Sequence, residues 1–140
     1  MATNNVTELR PRVGETEKMT INLGVVDLGQ IDLLVQEGFY SNRSDLIRTA
    51  VRNQLAVHAD TVKQTVARRT LTVGLQHYGR AELEQVRAAG ERLHIQVVGL
   101  ARIAADVSPE LALATIESVS VLGAFQAPPA VRSALAGRIS

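Results

Sequence analysis

The sequence predicts a mixed α/β chain in two parts. The first is a module of one strand and two helices that needs a second copy of itself. The second is a small α/β domain of about three strand–helix repeats, stacked like a short solenoid. Three observations predict this. Lys18-Met19-Thr20-Ile21-Asn22-Leu23 alternates polar and apolar residues strictly, the period of a half-buried strand. About forty residues of helical pattern follow, so that strand has no partner nearby in its own chain. Beyond residue 70, three short β-like runs align on Gly74, Gly99 and Gly123, 25 and then 24 residues apart.

Composition sets the outer bounds. A chain of 140 residues makes one domain or two small ones. The apolar fraction of 46% is ample for a core, but with only Phe39, Tyr40, Tyr78 and Phe125 as aromatics that core is aliphatic. There is no cysteine, which excludes a disulfide framework and a zinc–thiolate site. No apolar run approaches the roughly 18–20 residues needed to span a bilayer, so no membrane partner is expected. The first residues lack the basic-then-apolar plan of a signal peptide, and the expected location is the cytoplasm; association with the nucleoid is expected only as a consequence of DNA binding. Net charge is +1. Residues 18–69 hold seven bases against five acids, and residues 70–140 hold six of each. The basic signal is weak and local, so any case for DNA rests on geometry.

In chain order, residues 1–17 are polar, contain Pro11 and Gly14, and read as a flexible arm in which Arg10 and Arg12 are outweighed by Glu8, Glu15 and Glu17. The strand comes next. Unpaired backbone N–H and C=O groups are costly once buried, and pairing with the same strand of a second molecule across a two-fold axis satisfies them. The resulting antiparallel ribbon buries Met19, Ile21 and Leu23 and presents Lys18, Thr20 and Asn22 twice over. Those three suit base edges in a DNA major groove: Lys donates to guanine, Asn pairs with adenine, and Thr serves either. Asp27 is the expected N-cap of a short helix whose apolar face is Leu28, Ile31, Leu34 and Val35 and which Gly38 ends. After Phe39-Tyr40, Ser41 is expected to cap a second helix running to about Thr65. Its inward stripe is Leu46, Ile47, Ala50, Val51, Gln54 and Leu55. The expected dimer core is therefore Met19, Ile21, Leu23, Leu34, Leu46, Ile47, Ala50 and Val51.

Strand, helix, glycine turn and capped helix, with Gly38-Phe39-Tyr40-Ser41-Asn42-Arg43-Ser44-Asp45-Leu46-Ile47-Arg48-Thr49-Ala50-Val51-Arg52 as they stand, resemble the ribbon-helix-helix (CopG/Arc/MetJ-type) DNA-binding regulators over residues 17–57. The resemblance implies base reading by Lys18, Thr20 and Asn22, and a phosphate grip by Ser41, Asn42, Arg43 and Ser44 at the start of the second helix. A helix start is a ready anion site in its own right, through its free N–H groups and positive dipole end. Asp45 is expected to point away from that phosphate.

The C-terminal half, residues 70–140, is outside the resemblance. The runs Leu71-Thr72-Val73-Gly74-Leu75, Ile95-Gln96-Val97-Val98-Gly99-Leu100 and Val119-Ser120-Val121-Leu122-Gly123-Ala124 are Val/Ile/Leu-rich, as parallel strands buried on both faces are. Helical stretches follow at 80–89, 108–115 and 129–136. The alternative is a compact α/β fold with a fortuitous repeat. The last unit ends in Ala-Gly-Arg-Ile-Ser with little to cover it, which points to a protein partner, first of all other dimers of the same chain.

Sites of other kinds are missing. His58, His77 and His94 have no carboxylate at i+3 or i+4, and His77 is expected in a loop. No P-loop, GxSxG or GxGxxG occurs, and Glu82 and Glu84 point in different directions on a helix. No enzyme activity, metal or cofactor is expected. The expectation is a homodimeric transcriptional regulator of the repressor kind on double-stranded DNA, assembling further through residues 70–140. The alternatives are an antitoxin of a toxin–antitoxin pair and a polymerising DNA-organising or partition protein.

Overall fold

The computed structural model describes residues 14–140, so most of the expected arm, residues 1–13, lies outside it. The chain divides into two compact units. One is Thr16–Thr65; the other runs from Val66 to Ser140 and includes Gly14 and Glu15.

In the first unit, residues 16–24 form neither helix nor a hydrogen-bonded strand within the chain. A strand is a property of a pair, and the described residues of the single chain offer residues 18–23 no second strand. Helix α1 (Val25–Gln36) starts three residues earlier than expected, with Gly24 at the cap position and Asp27 inside the first turn. There the Asp27 carboxylate faces the positive dipole end, which suits it as well as capping would. The helix ends as its sequence demands: Gly38 takes φ +84°, and the N–H groups of Gly38 and Phe39 donate to the carbonyls of Val35 (3.1 Å) and Leu34 (3.0 Å). Helix α2 (Arg43–Val57) is capped by Asn42, not Ser41. The expected single helix to Thr65 is interrupted at His58, and α3 (Ala59–Arg68) resumes beyond it.

None of the described residues of this unit is buried. Met19 is 78% exposed, Ile21 51% and Val51 50%; Leu33, Phe39 and Leu55 are open too. Of the expected dimer core, only Leu23, Leu46 and Ile47 are even half-buried, while Leu34 and Ala50 are exposed.

The second unit has the core that the first lacks. Strands β1 (Thr72–Tyr78), β2 (Leu93–Ile103) and β3 (Ile116–Gln126) form a parallel sheet in the order β1-β2-β3. Helix α4 (Arg80–Ala88) connects the first two strands and α5 (Pro109–Thr115) the second two, while α6 (Pro129–Ala134) follows β3. Ser108 caps α5, its hydroxyl accepting from the Leu111 N–H at 3.2 Å, with Pro109 in the first turn. Leu83 of α4, Leu111 and Ala112 of α5, and Val131 of α6 pack with Leu135 onto Ile95, Val97, Ala101, Ile103, Ile116 and Val119. Full burial of one Leu, Ile or Val is worth about 1.5–3 kcal/mol, so this unit stabilises itself.

Helices cover one face of the sheet only. Val73, Leu75 and Leu122 lie on the other face and are exposed, so the apolar richness of the strands does not mean burial on both sides. The strands also run further than expected, and β1 takes in His77, which belongs to a strand and not to a loop. At the outer side of β3 the chain covers itself. Ile139 pairs with Val119, the Ser140 N–H donates to the Val119 carbonyl (2.9 Å), and Arg138 Nη1 donates to the carbonyls of Leu113 and Ile116.

Gly74, Gly99 and Gly123 are direct neighbours across the three strands. All three take φ between +121° and +136°, where L side chains are strained. A Cβ on Gly99 would stand 2.2 Å from the Gly74 carbonyl oxygen, and one on Gly123 would stand 2.1 Å from that of Gly99. The sheet closes across this row because the row has no side chains.

Candidate nucleic-acid interface

Two pieces of the first unit were expected to touch DNA. On residues 18–23, Lys18, Thr20 and Asn22 are exposed. Met19 and Ile21 are exposed as well, so the single chain does not yet have one wet face and one dry face there.

The start of α2 is built by reciprocal capping. The Asp45 N–H donates to Asn42 Oδ1 (2.8 Å), and the Ser41 N–H donates to Asp45 Oδ2 (2.9 Å). Asp45 was expected to point away; instead its carboxylate bends back and occupies one of the amides an incoming anion would use. Ser41, Asn42, Arg43 and Ser44 are all exposed. Arg43 is engaged: its Nε and Nη2 donate to the two carboxylate oxygens of Asp32 on α1, each at 2.8 Å. That paired fork holds the Asp32 carboxyl below its ordinary pKa and raises that of Arg43. A depressed carboxylate pKa means the pair contributes above the ordinary carboxylate range and is lost as pH falls through the lowered value. At neutral pH, Asp32 takes two of the five guanidinium N–H groups of Arg43 and offsets its charge, which weakens its pull on a phosphate.

An open cleft of about 380 Å³ joins the two pieces, lined among others by Lys18, Met19, Ser44, Ile47 and Arg48. It brings Lys18 from the base-reading set beside Ser44 from the phosphate set. It also adds Arg48, which is in neither expected set; its position one helical turn past Ser44 was the available signal.

Among the described residues, no group of three or more His, Asp or Glu is placed to hold a metal ion, and no helix is long and apolar enough to cross a membrane.

The model of the Ribbon-Helix-Helix transcriptional regulator family matches residues 14–132, and the chain belongs to that family. The match runs well past residue 57 and takes in all three strands of the sheet. Searches of curated proteins and of solved structures return no match. Regulators of this family bind DNA, typically as dimers, and are generally not enzymes.

Proposed function

We propose that the protein is a sequence-specific transcriptional regulator whose residues 18–23 pair with the same residues of a second chain. The ribbon enters the major groove with Lys18, Thr20 and Asn22 on base edges. The start of α2 meets the flanking phosphates through Ser41, Asn42, Arg43 and Ser44. One observation carries the reading: a unit of fifty residues, Thr16–Thr65, with no buried residue and an open apolar set of Met19, Ile21, Leu34 and Val51. A unit of that size without a core does not stay folded, and a second copy supplies one.

Selecting bound duplexes from a random pool tests the reading. The wild-type chain should enrich short half-sites related by a two-fold. Asn22→Ala should lose roughly 1–3 kcal/mol and relax the preference at one base position per half-site. If Asn22→Ala enriches the same sites with the same stringency, Asn22 reads no base.

Arg43 is predicted to act differently. Arg43→Ala should weaken binding on all sequences alike and lower the salt slope by about one for each phosphate that is no longer neutralised. Asp32→Ala, which frees Arg43, should strengthen binding on all sequences alike. Titrations at several salt concentrations on a selected and a scrambled duplex check both.

Residues 70–140 are proposed to join dimers into higher assemblies as a solenoid-like unit. The in-register glycine row and the exposed Val73, Leu75 and Leu122 support this. The covered outer side of β3 moves the open surface from the sheet edge to the sheet face. The same open face favours a polymerising DNA-organising protein as the second reading. An antitoxin tail that orders only on its toxin fits less well with a half that has a core of its own.

A further inference from the structure

The carboxyl end of the parallel sheet carries a second feature, unrelated to the DNA-facing residues. His77, Arg102 and Gln126 are register neighbours across β1, β2 and β3, each three residues beyond the glycine of its strand. By strand alternation they lie on the face that the helices leave uncovered. With Ala104, Ala127 and Pro128 among the other residues, they line an open depression of about 530 Å³. That is the size of a small-molecule site, at the end of a parallel sheet where such folds bind ligands.

Arg102 is half-buried, and its hydrogen-bond partners among the described residues are neutral. Its Nε donates to Gln126 Oε1 (2.9 Å) and its Nη2 to the Gly14 carbonyl (3.2 Å); Gln126 Nε2 donates to the same carbonyl at 2.7 Å. The salt bridges of Asp32 with Arg43, Glu84 with Arg87 and Glu117 with Arg92 do not involve Arg102. Two of the five guanidinium N–H groups are used in these bonds, and the others are left for a ligand. The neighbouring Arg132 is committed elsewhere, donating to the Phe125 carbonyl (2.7 Å) with its guanidinium 5.6 Å from the Phe125 ring centre. One guanidinium held by neutral groups suits one negative charge, its fork suits a carboxylate, and the alanine and proline walls suit an apolar body.

We propose that this row binds a small monocarboxylate with an apolar body, which takes Arg102 and Gln126 over from the Gly14 carbonyl. The exchange is favourable because a carboxylate brings the opposite charge that the Gly14 carbonyl lacks and takes two N–H groups of the guanidinium fork at once. Gly14 stands two residues before Thr16, where the first unit begins. Ligand arrival therefore releases an anchor just ahead of residues 18–23, which makes the site an effector site; this regulatory meaning rests on the DNA-binding reading, whereas the binding itself does not.

The test is an NMR titration of the full chain without DNA, using benzoate and hexanoate, with benzyl alcohol, hexanol and sulfate as controls. The Arg102 side-chain Nε–H and the Glu15 amide, whose peptide group contains the Gly14 carbonyl, should shift along one saturable curve with either carboxylate. The alcohols and sulfate should leave them in place. Arg102→Gln should abolish the response, and Arg102→Lys, which keeps the charge and loses the fork, should weaken it about tenfold. Both variants should keep the wild-type amide spectrum of α4 and α5, which pack on the opposite face of the sheet. No saturable shift, an equal response to sulfate, or an unchanged response in Arg102→Gln would each overturn the proposal. Because no DNA is present, failure of the DNA-binding reading leaves this result standing.

Discussion

Gly99→Ala is expected to unfold the C-terminal unit at a temperature where Gly74→Ala leaves it folded. The two glycines share a backbone conformation, φ +136° and +129°, so both substitutions carry the strain of an L residue held there, about 1–3 kcal/mol. They differ in what the new methyl group meets. Around Gly74 there is nothing within 4 Å, whereas at Gly99 the Cβ would stand 2.2 Å from a backbone oxygen of the adjoining strand. Backbone in the middle of a sheet cannot step aside without breaking the ladder, so the second effect adds several kcal/mol. A unit of about 75 residues is stable by roughly 4–11 kcal/mol, and Gly99→Ala removes most of that. Gly123→Ala should behave like Gly99→Ala, its Cβ meeting the Gly99 oxygen at 2.1 Å. Thermal melts followed by circular dichroism decide it. Equal losses at Gly74 and Gly99 would mean that the close approach of the strands does not limit the fold.

The second large effect is expected at Ile21. In a paired ribbon its side chain turns inward and the matching residue of the other chain lies close by, so Ile21→Asp places two carboxylates in one apolar core. Each costs several kcal/mol to bury. The expected result is a monomer with the first unit unfolded, the second unit still folded, and DNA affinity down by about a hundredfold or more. Thr20→Asp, one residue away on the opposite face, should leave the dimer intact and abolish DNA binding through repulsion alone. Sedimentation separates the two outcomes. If Ile21→Asp stays dimeric, these residues do not form the interface.

What could be read from the residues was what is decided locally. Gly38 ends α1 because only a residue tolerant of positive φ serves there, and Ser108-Pro109 starts α5 for equally local reasons. The glycine spacing was legible because parallel strands in register repeat their special positions. Sequence and structure part where local chemistry offers two near-equal answers. Ser41 and Asn42 are both good caps, and the choice fell to Asn42, whose side chain accepts from the Asp45 N–H while Asp45 accepts from the Ser41 N–H. Asp27 serves a helix start as cap or as first-turn charge. Other features depend on tertiary context that no short stretch records. Val73, Leu75 and Leu122 look like core residues in sequence, and nothing local says that helices cover only one face. The Arg43–Asp32 pair joins residues eleven apart on two helices. His77, Arg102 and Gln126 could have been found by carrying the glycine register three residues further, but the apolar runs that mark the strands stop before them.

Hydrogen exchange at the amides of residues 18–23 in the full-length protein measures the pairing most directly. In the single chain these amides have no ladder partner and exchange as open peptide does. In the paired ribbon, every second amide of the six donates across the two-fold and is protected, with protection falling as the protein is diluted through its dimer dissociation constant. Alternating, concentration-dependent protection is the predicted result. Uniformly fast exchange in a sample that sediments as a dimer would contradict the account, because the chains would then be held together by something other than this strand.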